Sequence, residues 1–256
     1  MSDVFSVEGK VAIVTGGNVG IGKSIAQRFL QEGASVVTCS RRDYDAPPAA
    51  EGLDDVDGRI VHRACDVRQV EQVDEVVKTC LDTFGRIDTL VNNAGGSPPT
   101  DSATASPNFF AAVIATNLTQ VFVFSQRVNT VMQGQDTGGT IVNISSMAGL
   151  GPSPILAAYG AAKAGVINAT KTLAQEWGPK VRMNCVAPGF IMTEGADYLA
   201  PTDEAKEALR KGSPLKRIGM PSDIADVVLF LAADASRHVN GETIAVDGGG
   251  NIRRGG

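Results

Sequence analysis

Histidine, cysteine and aromatic residues are scarce in this sequence. Of its 256 residues, two are histidine and four are cysteine, and 5% are aromatic. The cysteines form no CxxC pair, which is typical of reduced packing residues and not of a disulfide framework. Two histidines are too few for a histidine-rich metal site. We therefore predict no metal site in this chain.

Signals for nucleic acid, for a membrane and for export are also missing. The formal net charge is −5 and no basic run is longer than a pair, so a nucleic-acid partner is not expected. No run approaches the roughly 20 consecutive apolar residues of a transmembrane helix. The residues before Lys10 include two acids and no base, unlike a signal or transit peptide. These absences predict a cytoplasmic protein without a nucleic-acid or membrane partner.

Glycine, in contrast, is in excess. The chain has 29 glycines in 256 residues, about 11% against a usual share near 7%. They follow no Gly-X-Y period, and the 43% hydrophobic content excludes a disordered chain. We therefore expect the glycines where the backbone turns sharply or comes close to a ligand.

Short runs rich in β-branched residues alternate with longer amphipathic patterns. The predicted strands are 11–15, 35–39, 60–64, 89–92, 140–144, 182–186 and 243–246. The predicted helices are 21–32, 69–84, 107–132, 155–177 and 222–233. This alternation predicts the α/β class, with one doubly wound, Rossmann-like parallel sheet of about seven strands and helices on both faces. No composition break or long linker divides the chain, so 1–256 is predicted to be a single domain.

A glycine-rich turn follows the first predicted strand and precedes a helical pattern. Residues 15–22 read TGGNVGIG. In such a turn, free backbone N–H groups and the positive end of the helix dipole form a cradle for phosphate. The spacing of Gly16, Gly20 and Gly22 is not that of the strict GxGxxG fingerprint. Its place in a first βαβ unit nevertheless favours a nucleotide site over a purely structural turn.

The end of the second predicted strand indicates which dinucleotide would bind. Where an acid would hold the ribose diol of NAD, the sequence has Ser40, followed by Arg41 and Arg42. A hydroxyl and two guanidinium groups suit a 2′-phosphate, which a carboxylate would repel. We therefore favour NADP(H) as the cofactor, with NAD(H) possible. The alternative is that both arginines are solvated loop residues.

Tyr159 and Lys163 form the most specific pair in the sequence. They are four residues apart in a predicted helix, on one face and about 6 Å apart along its axis. A phenol titrates near pH 10 in water, and a neighbouring ammonium group would lower that pKa. Ser145 and Ser146 follow the strand 140–144, at the sheet edge where open α/β sheets bind ligands. A serine there could hydrogen-bond a substrate oxygen while the tyrosine exchanges its proton.

Taken together, these motifs resemble the classical short-chain dehydrogenase/reductase family. The glycine turn, which matches the family pattern TGxxxGxG, is followed in order by an NNAG run at 92–95, Asn117, Ser146, Tyr159 with Lys163, and a Pro-Gly pair at 188–189. The resemblance extends from about residue 9 to residue 250. It implies an oxidoreductase that interconverts an alcohol and a ketone or aldehyde by hydride transfer with a nicotinamide cofactor.

The resemblance also implies roles for the catalytic residues. Tyr159 is expected to be the acid/base, and Lys163 to lower its pKa and hold the nicotinamide ribose. The family serine stands 13 residues before the tyrosine, which selects Ser146 over Ser145. Asn117 is expected to kink its helix and to hold a water that links the lysine to solvent.

A larger set of residues is expected to bind the cofactor. Asp66 is expected beside the adenine and Thr193 at the carboxamide. The set comprises Gly16, Asn18, Gly20, Ile21, Gly22, Ser40, Arg41, Asp66, Val67, Asn93, Ala94, Gly95, Tyr159, Lys163, Pro188, Gly189, Ile191 and Thr193. Residues 190–214 resemble the substrate loop of the family. A homotetramer or homodimer packed through the Tyr159 helix is also implied.

The function without turnover and the substrate are the two questions that stay open. A dinucleotide-binding regulator or scaffold without turnover is the alternative function, although the intact Ser146, Tyr159 and Lys163 argue against it. Epimerisation or dehydration of nucleotide sugars is set aside, because those relatives carry TGxxGxxG and a longer C-terminal region. The small-molecule substrate is not determined: a 3-oxoacyl thioester, a steroid ketone, a sugar or polyol and a small ketone would all fit. His62 is expected to be a surface strand residue and His238 a loop residue.

Overall fold

A seven-stranded parallel sheet runs through the residues that the computed structural model describes, 4–195 and 200–250. Its order is β3-β2-β1-β4-β5-β6-β7. The strands are β1 Val11–Thr15, β2 Ser35–Ser40, β3 Ile60–Ala64, β4 Thr89–Asn92, β5 Gly139–Ile144, β6 Val181–Pro188 and β7 Thr243–Val246. The predicted α/β class and doubly wound sheet are thereby confirmed.

Helices cover both faces of the sheet. They are α1 Gly20–Gln31, α2 Val70–Phe84, α3 Pro107–Ile114, α4 Gln120–Gly134, α5 Ala157–Trp177, α6 Asp203–Gly212 and α7 Pro221–Ala232. One apolar layer lies between the sheet and α1 with α7, and the other lies under α2, α4 and α5. Because both faces are covered, every residue of β1 and of β4 is buried, which explains their continuous rather than alternating hydrophobicity.

The strand order reverses between β1 and β4. From β1 the chain continues to β2 and β3 on one side, whereas β4 leads to β5, β6 and β7 on the other. The loops that leave the carboxyl ends of these two strands therefore diverge and open a crevice between them. The glycine turn follows β1, and the NNAG run begins with the last residue of β4, so both lie at this crevice.

A chain of side-chain hydrogen bonds connects α5, which carries Tyr159, to the centre of the sheet. Asn92 at the end of β4 donates to Asn143 Oδ1 in β5 at 2.8 Å and to Ser125 Oγ in α4 at 2.9 Å. Asn143 in turn donates to Thr170 Oγ1 in α5 at 2.9 Å. All four side chains are buried. These three hydrogen bonds connect two strands and two helices and hold them in one register.

One helical segment is long and apolar enough to cross a membrane, judged by length and composition, although it contains no long run of consecutive apolar residues. It is 107–134, with a mean hydropathy of 1.4 in its most apolar window. Phe124 and Met132 are buried in the layer against the sheet, and Arg127 forms an ion pair with Asp74 of α2. The apolar character of the segment thus has a packing role within the α/β fold.

Candidate active site

A cleft of about 950 Å³ lies at the carboxyl edge of the sheet. Its walls are formed by the residues that follow β1 through β6, and it contains nearly all of the predicted site. The predicted residues that line it are Gly16, Gly20, Ile21, Gly22, Ser40, Arg41, Asp66, Val67, Asn93, Ala94, Gly95, Ser146, Tyr159, Lys163, Pro188, Gly189, Ile191 and Thr193. Asn18 and Asn117 do not line it. The part of the predicted substrate loop at 196–199 lies outside the described residues.

The glycine turn is held in place by the segment that follows β4. Thr15 Oγ1 accepts hydrogen bonds from the backbone N–H groups of Asn93 and Ala94, both at 2.9 Å, and Asn93 Nδ2 donates to the carbonyl of Thr15. A Cβ at Gly22 would lie 2.2 Å from the carbonyl oxygen of Gly16, so only glycine fits there. This close-packed turn at the start of α1 suits the approach of a pyrophosphate to the helix N-terminus.

Charged groups gather at the end of the cleft that follows β2 and β3. Arg41 and Asp66 line the wall, and Arg68 Nε donates to the carboxylate of Asp66 at 2.9 Å. The Arg68 guanidinium lowers the pKa of Asp66, with a smaller contribution from Arg41. Asp66 is therefore ionised and already paired, and no carboxylate stands at position 40, where a dehydrogenase with an acid would hold the ribose diol.

Ser146 and Tyr159 lie together in the cleft, at the carboxyl end of β5. Burial raises the pKa of the Tyr159 phenol, and the hydrogen bond from Ser146 lowers it by less. The neighbouring Ser145 is different, because its hydroxyl donates to the backbone carbonyl of Lys163 at 2.8 Å. The hydroxyl of Ser145 is thus engaged by the backbone of α5.

The sequence predicts that Lys163 lowers the pKa of Tyr159, but the causes of the Tyr159 shift are burial and Ser146, so that lowering stays a prediction. Lys163 Nζ lies 5.7 Å from the centroid of the Tyr159 ring and donates to the carbonyl of Ile144 at 2.8 Å. Desolvation is the largest cause of the pKa shift of each group. Burial raises the pKa of the phenol and lowers the pKa of the ammonium group to about 8.

Asn117 is buried behind the cleft, next to Lys163. It lies in a π-helical turn, Ala115–Thr119, that separates α3 from α4, where a single helix was predicted. Its amide donates to the carbonyls of Gly96 and Val113, and its oxygen accepts from the backbone N–H of Gly96 at 2.7 Å. A Cβ at Gly95 would lie within 3.3 Å of both Asn117 Oδ1 and Lys163 Nζ, so the two side chains flank that glycine.

Several residues of the cleft have no counterpart among the predicted ones. They are Val19, Cys39, Cys65, Arg68, Gly96, Ser97, Pro98, Thr116, Ile144, Ser145 and Phe190. Most are neighbours in sequence of predicted residues, so a search by flanking position would have found them. Cys39 and Cys65 also flank predicted residues, Ser40 and Asp66, but no sequence motif indicates that the two cysteines meet across adjacent strands.

Comparisons with known proteins agree with this geometry. The family model described as enoyl-(acyl carrier protein) reductase matches residues 16–251. The 3-oxoacyl-[acyl-carrier-protein] reductase FabG of Thermotoga maritima is 41% identical over 247 residues, which are 95% of this chain and 98% of that protein. The chain belongs to the classical short-chain dehydrogenase/reductase family. It is accordingly an oxidoreductase of a family that uses nicotinamide dinucleotides and small-molecule substrates.

Other short-chain dehydrogenases are similarly close. The 3alpha-hydroxysteroid dehydrogenase of Mediterraneibacter gnavus is 38% identical over 246 residues, covering 94% of this chain and 97% of that protein. A crystallised 7α-hydroxysteroid dehydrogenase, complexed with NADH and 7-oxo glycochenodeoxycholic acid, superposes with a TM-score of 0.91 at 32% identity. The match covers 98% of this chain and 97% of that one.

Proposed function

We propose that this short-chain dehydrogenase/reductase interconverts an alcohol and a ketone or aldehyde with NADP(H), and that Tyr159 is its general acid/base. The observation that carries the proposal is that Ser146 and Tyr159 lie together in the same cleft as the glycine turn. Lys163 and Asn117 lie directly behind this pair. When bound, the nicotinamide cofactor would supply or accept the hydride.

The chain's own residues would manage the proton. The raised pKa of Tyr159 keeps its phenol neutral at pH 7, so it can donate a proton to a carbonyl oxygen that is reduced. Ser146 would hold the same oxygen by a hydrogen bond. Lys163 is still mostly cationic at neutral pH and would stabilise the phenolate that is left. Asn117, hydrogen-bonded to Gly96 beside Lys163, would support the path by which that proton is replaced.

The proposed preference for NADP(H) rests on Ser40, Arg41 and the state of Asp66. Arg41 lines the cleft and could pair with a 2′-phosphate through two parallel hydrogen bonds. The carboxylate of Asp66 is compensated by Arg68 and would repel that phosphate little. NADH is bound in the related 7α-hydroxysteroid dehydrogenase, so NAD(H) is the competing cofactor to test.

The relatives suggest which substrates to try first. Two have names that refer to 3-oxoacyl thioesters of acyl carrier protein and to hydroxysteroids, both largely apolar carbonyl or alcohol compounds. Phe190 and Pro98 line the same cleft as Tyr159 and could contact such apolar groups. We also propose that residues 1–256 form a single domain and that residues 190–214 are its substrate loop.

We further propose a cytoplasmic homotetramer or homodimer packed through α5. Phe122 on the neighbouring α4 is 44% exposed in the single chain, a large apolar side chain that a second copy would cover. Light scattering of the purified protein should give two or four times the chain mass. A monomer would contradict the proposed assembly without affecting the chemistry.

A substrate panel tests the proposed function. Purified protein should oxidise NADPH with a 3-oxoacyl thioester or a steroid ketone, and reduce NADP⁺ with the corresponding alcohol. Its kcat/KM should be higher with NADPH than with NADH. Binding of NADPH without turnover across the panel would favour the regulator or scaffold instead. A higher kcat/KM with NADH would contradict the proposed cofactor preference.

A further inference from the structure

We propose that His62 is a positioning residue for the part of the cleft that receives the adenosine 2′-phosphate. Ser40 and Arg41 line this part of the cleft, and together with Asn18 and Arg42, which adjoin them, they are called the phosphate corner. The inference deepens the proposed NADP(H) preference and rests on it. His62 was expected to be a surface strand residue, and it is neither in the cleft wall nor part of any motif in the sequence.

The strand register brings His62 to the glycine turn. In the parallel pairing of β2 with β3, His62 is the partner of Thr38. Thr38 is fully buried and lies directly against the turn, because a Cβ at Gly17 would come within 2.7 Å of its Cγ2. The imidazole is therefore one side chain away from the turn that would hold the pyrophosphate.

One ring nitrogen of His62 contacts the turn itself. Nδ1 lies 2.8 Å from Nδ2 of Asn18 and 3.1 Å from Oγ1 of Thr38. Asn18 is only 2% exposed, and its amide nitrogen also donates to Ser40 Oγ at 3.4 Å. The side chain of Asn18, predicted to bind the cofactor, lies in this buried network and is not part of the cleft lining.

The other ring nitrogen contacts the segment after β2. Nε2 lies 2.8 Å from the carbonyl oxygen of Arg42, which also accepts from Ser40 Oγ at 3.1 Å. A carbonyl can only accept, so Nε2 carries the proton, and Nδ1 is free to accept from the amide of Asn18. A single neutral tautomer of His62 thus satisfies the contacts on both sides of the ring.

His62 consequently joins three chain segments at the phosphate corner. They are the glycine turn through Asn18, the end of β2 through Thr38, and the following loop through Arg42. Arg41 lies between Ser40 and Arg42, so its backbone is held on both sides while its side chain lines the cleft. The edge-on contact with the Tyr44 ring, at 5.2 Å between centroids, restrains the imidazole further.

This arrangement predicts that loss of the imidazole weakens the binding of the 2′-phosphate and not that of the rest of the dinucleotide. Without the imidazole, the carbonyl of Arg42 loses one of its two donors and the guanidinium of Arg41 is less well placed for the phosphate. The pyrophosphate site at the glycine turn keeps its contacts to Thr15 and Asn93, which do not involve His62. Affinity for NADP⁺ should therefore fall while affinity for NAD⁺ is largely retained.

Calorimetric titration of three variants with NADP⁺ and NAD⁺ tests the inference without any substrate. His62→Phe keeps the ring and removes its hydrogen bonds. His62→Gln keeps an N–H donor that can reach toward the carbonyl of Arg42. His238→Phe, at the only other histidine and exposed in a loop, is the matched control.

For His62→Phe we expect the Kd for NADP⁺ to rise about tenfold and the Kd for NAD⁺ to change by less than about twofold. His62→Gln should recover part of the loss, and His238→Phe should match the wild type. If His62→Phe fails to fold, the ratio of the two Kd values for His62→Gln decides the same question.

Two results would overturn the inference, and they are distinguishable from failure of the proposed function. Equal losses for NADP⁺ and NAD⁺ would show that His62 only supports the fold, and unchanged Kd values would show that it positions nothing. Both results leave the wild type binding a dinucleotide. A wild type that binds neither dinucleotide would instead contradict the proposed function, and this inference with it.

Discussion

Burial shifts the pKa values of Tyr159 and Lys163 in opposite directions. It raises the pKa of the Tyr159 phenol and lowers that of Lys163 to about 8, since each loses the solvation of its charged form. Their four-residue spacing was readable from the sequence, but the sign of the tyrosine shift was not. Desolvation depends on the whole surrounding fold, whereas the spacing indicates only that the two side chains share a helix face.

The lowered pKa of Lys163 predicts a pH dependence of stability. Below about pH 8 the ammonium is charged in both states, and folding bears the full cost of burying it. Between about pH 8 and 10.5 the folded chain has released the proton that the unfolded chain retains, so stability rises with pH. Over that window the free energy of unfolding of the cofactor-free wild type should rise by about 3 kcal/mol relative to that of Lys163→Met.

Urea unfolding at pH 7, 8.5 and 10 measures this gain. Lys171→Met is the matched control, because Lys171 lies on the same helix and is exposed. The free-energy difference between wild type and Lys171→Met should stay constant across the three pH values. A constant difference for Lys163→Met as well would contradict the account of a buried, desolvated lysine.

At the scale of elements, the glycine turn and the segment after β4 work as one unit. TGGNVGIG was predicted to form a phosphate-binding turn and the NNAG run to contribute cofactor-binding residues, and both segments line the cleft. Their hydrogen bonds through Thr15 and Asn93 could not be predicted, because they depend on β4 lying next to β1, which is far away in sequence. The same limit applies to His62, whose role depends on the register of β2 with β3.

Gly22→Ala should disrupt this unit. The added Cβ would lie 2.2 Å from the carbonyl oxygen of Gly16, so the turn must move and the phosphate cradle with it. We expect NADP⁺ affinity to fall by more than about tenfold and stability by about 1–3 kcal/mol, as measured by calorimetry and urea unfolding.

Gly134→Ala is the control for that substitution. Gly134 ends α4 with open space around its Cβ position, so this variant should bind like the wild type and be equally stable or slightly more so. Undiminished cofactor binding by Gly22→Ala would contradict the role given to the turn.

At the scale of the whole molecule, alternating strand and helix patterns were enough to predict the sheet. All seven strands were identified to within a few residues, because each is a short apolar run between turn signals. The π-helical turn at Asn117 was not predicted as such, since the hydrophobic pattern continues through it from α3 into α4. Only the resemblance to the family indicated a kink there.

The strand order brings Ser146, Tyr159 and the glycine turn into one cleft. Ser146 follows β5, Gly16 follows β1, and β4 lies between those two strands. The helix α5, which carries Tyr159, is connected to the sheet by the hydrogen bonds of Asn143 and Thr170. The central claim is that Tyr159 exchanges the proton while the rest of the cleft binds the cofactor. A change at Tyr159 should therefore lower turnover and leave cofactor affinity nearly unchanged.

Turnover and NADPH affinity of Tyr159→Phe, measured on the same preparation, test that claim most directly. The variant keeps the ring and removes only the hydroxyl that Ser146 contacts. The account predicts that kcat falls at least about 10³-fold, while the Kd for NADPH stays within about threefold of wild type. A variant that retains wild-type kcat would contradict the assignment of Tyr159 as the acid/base.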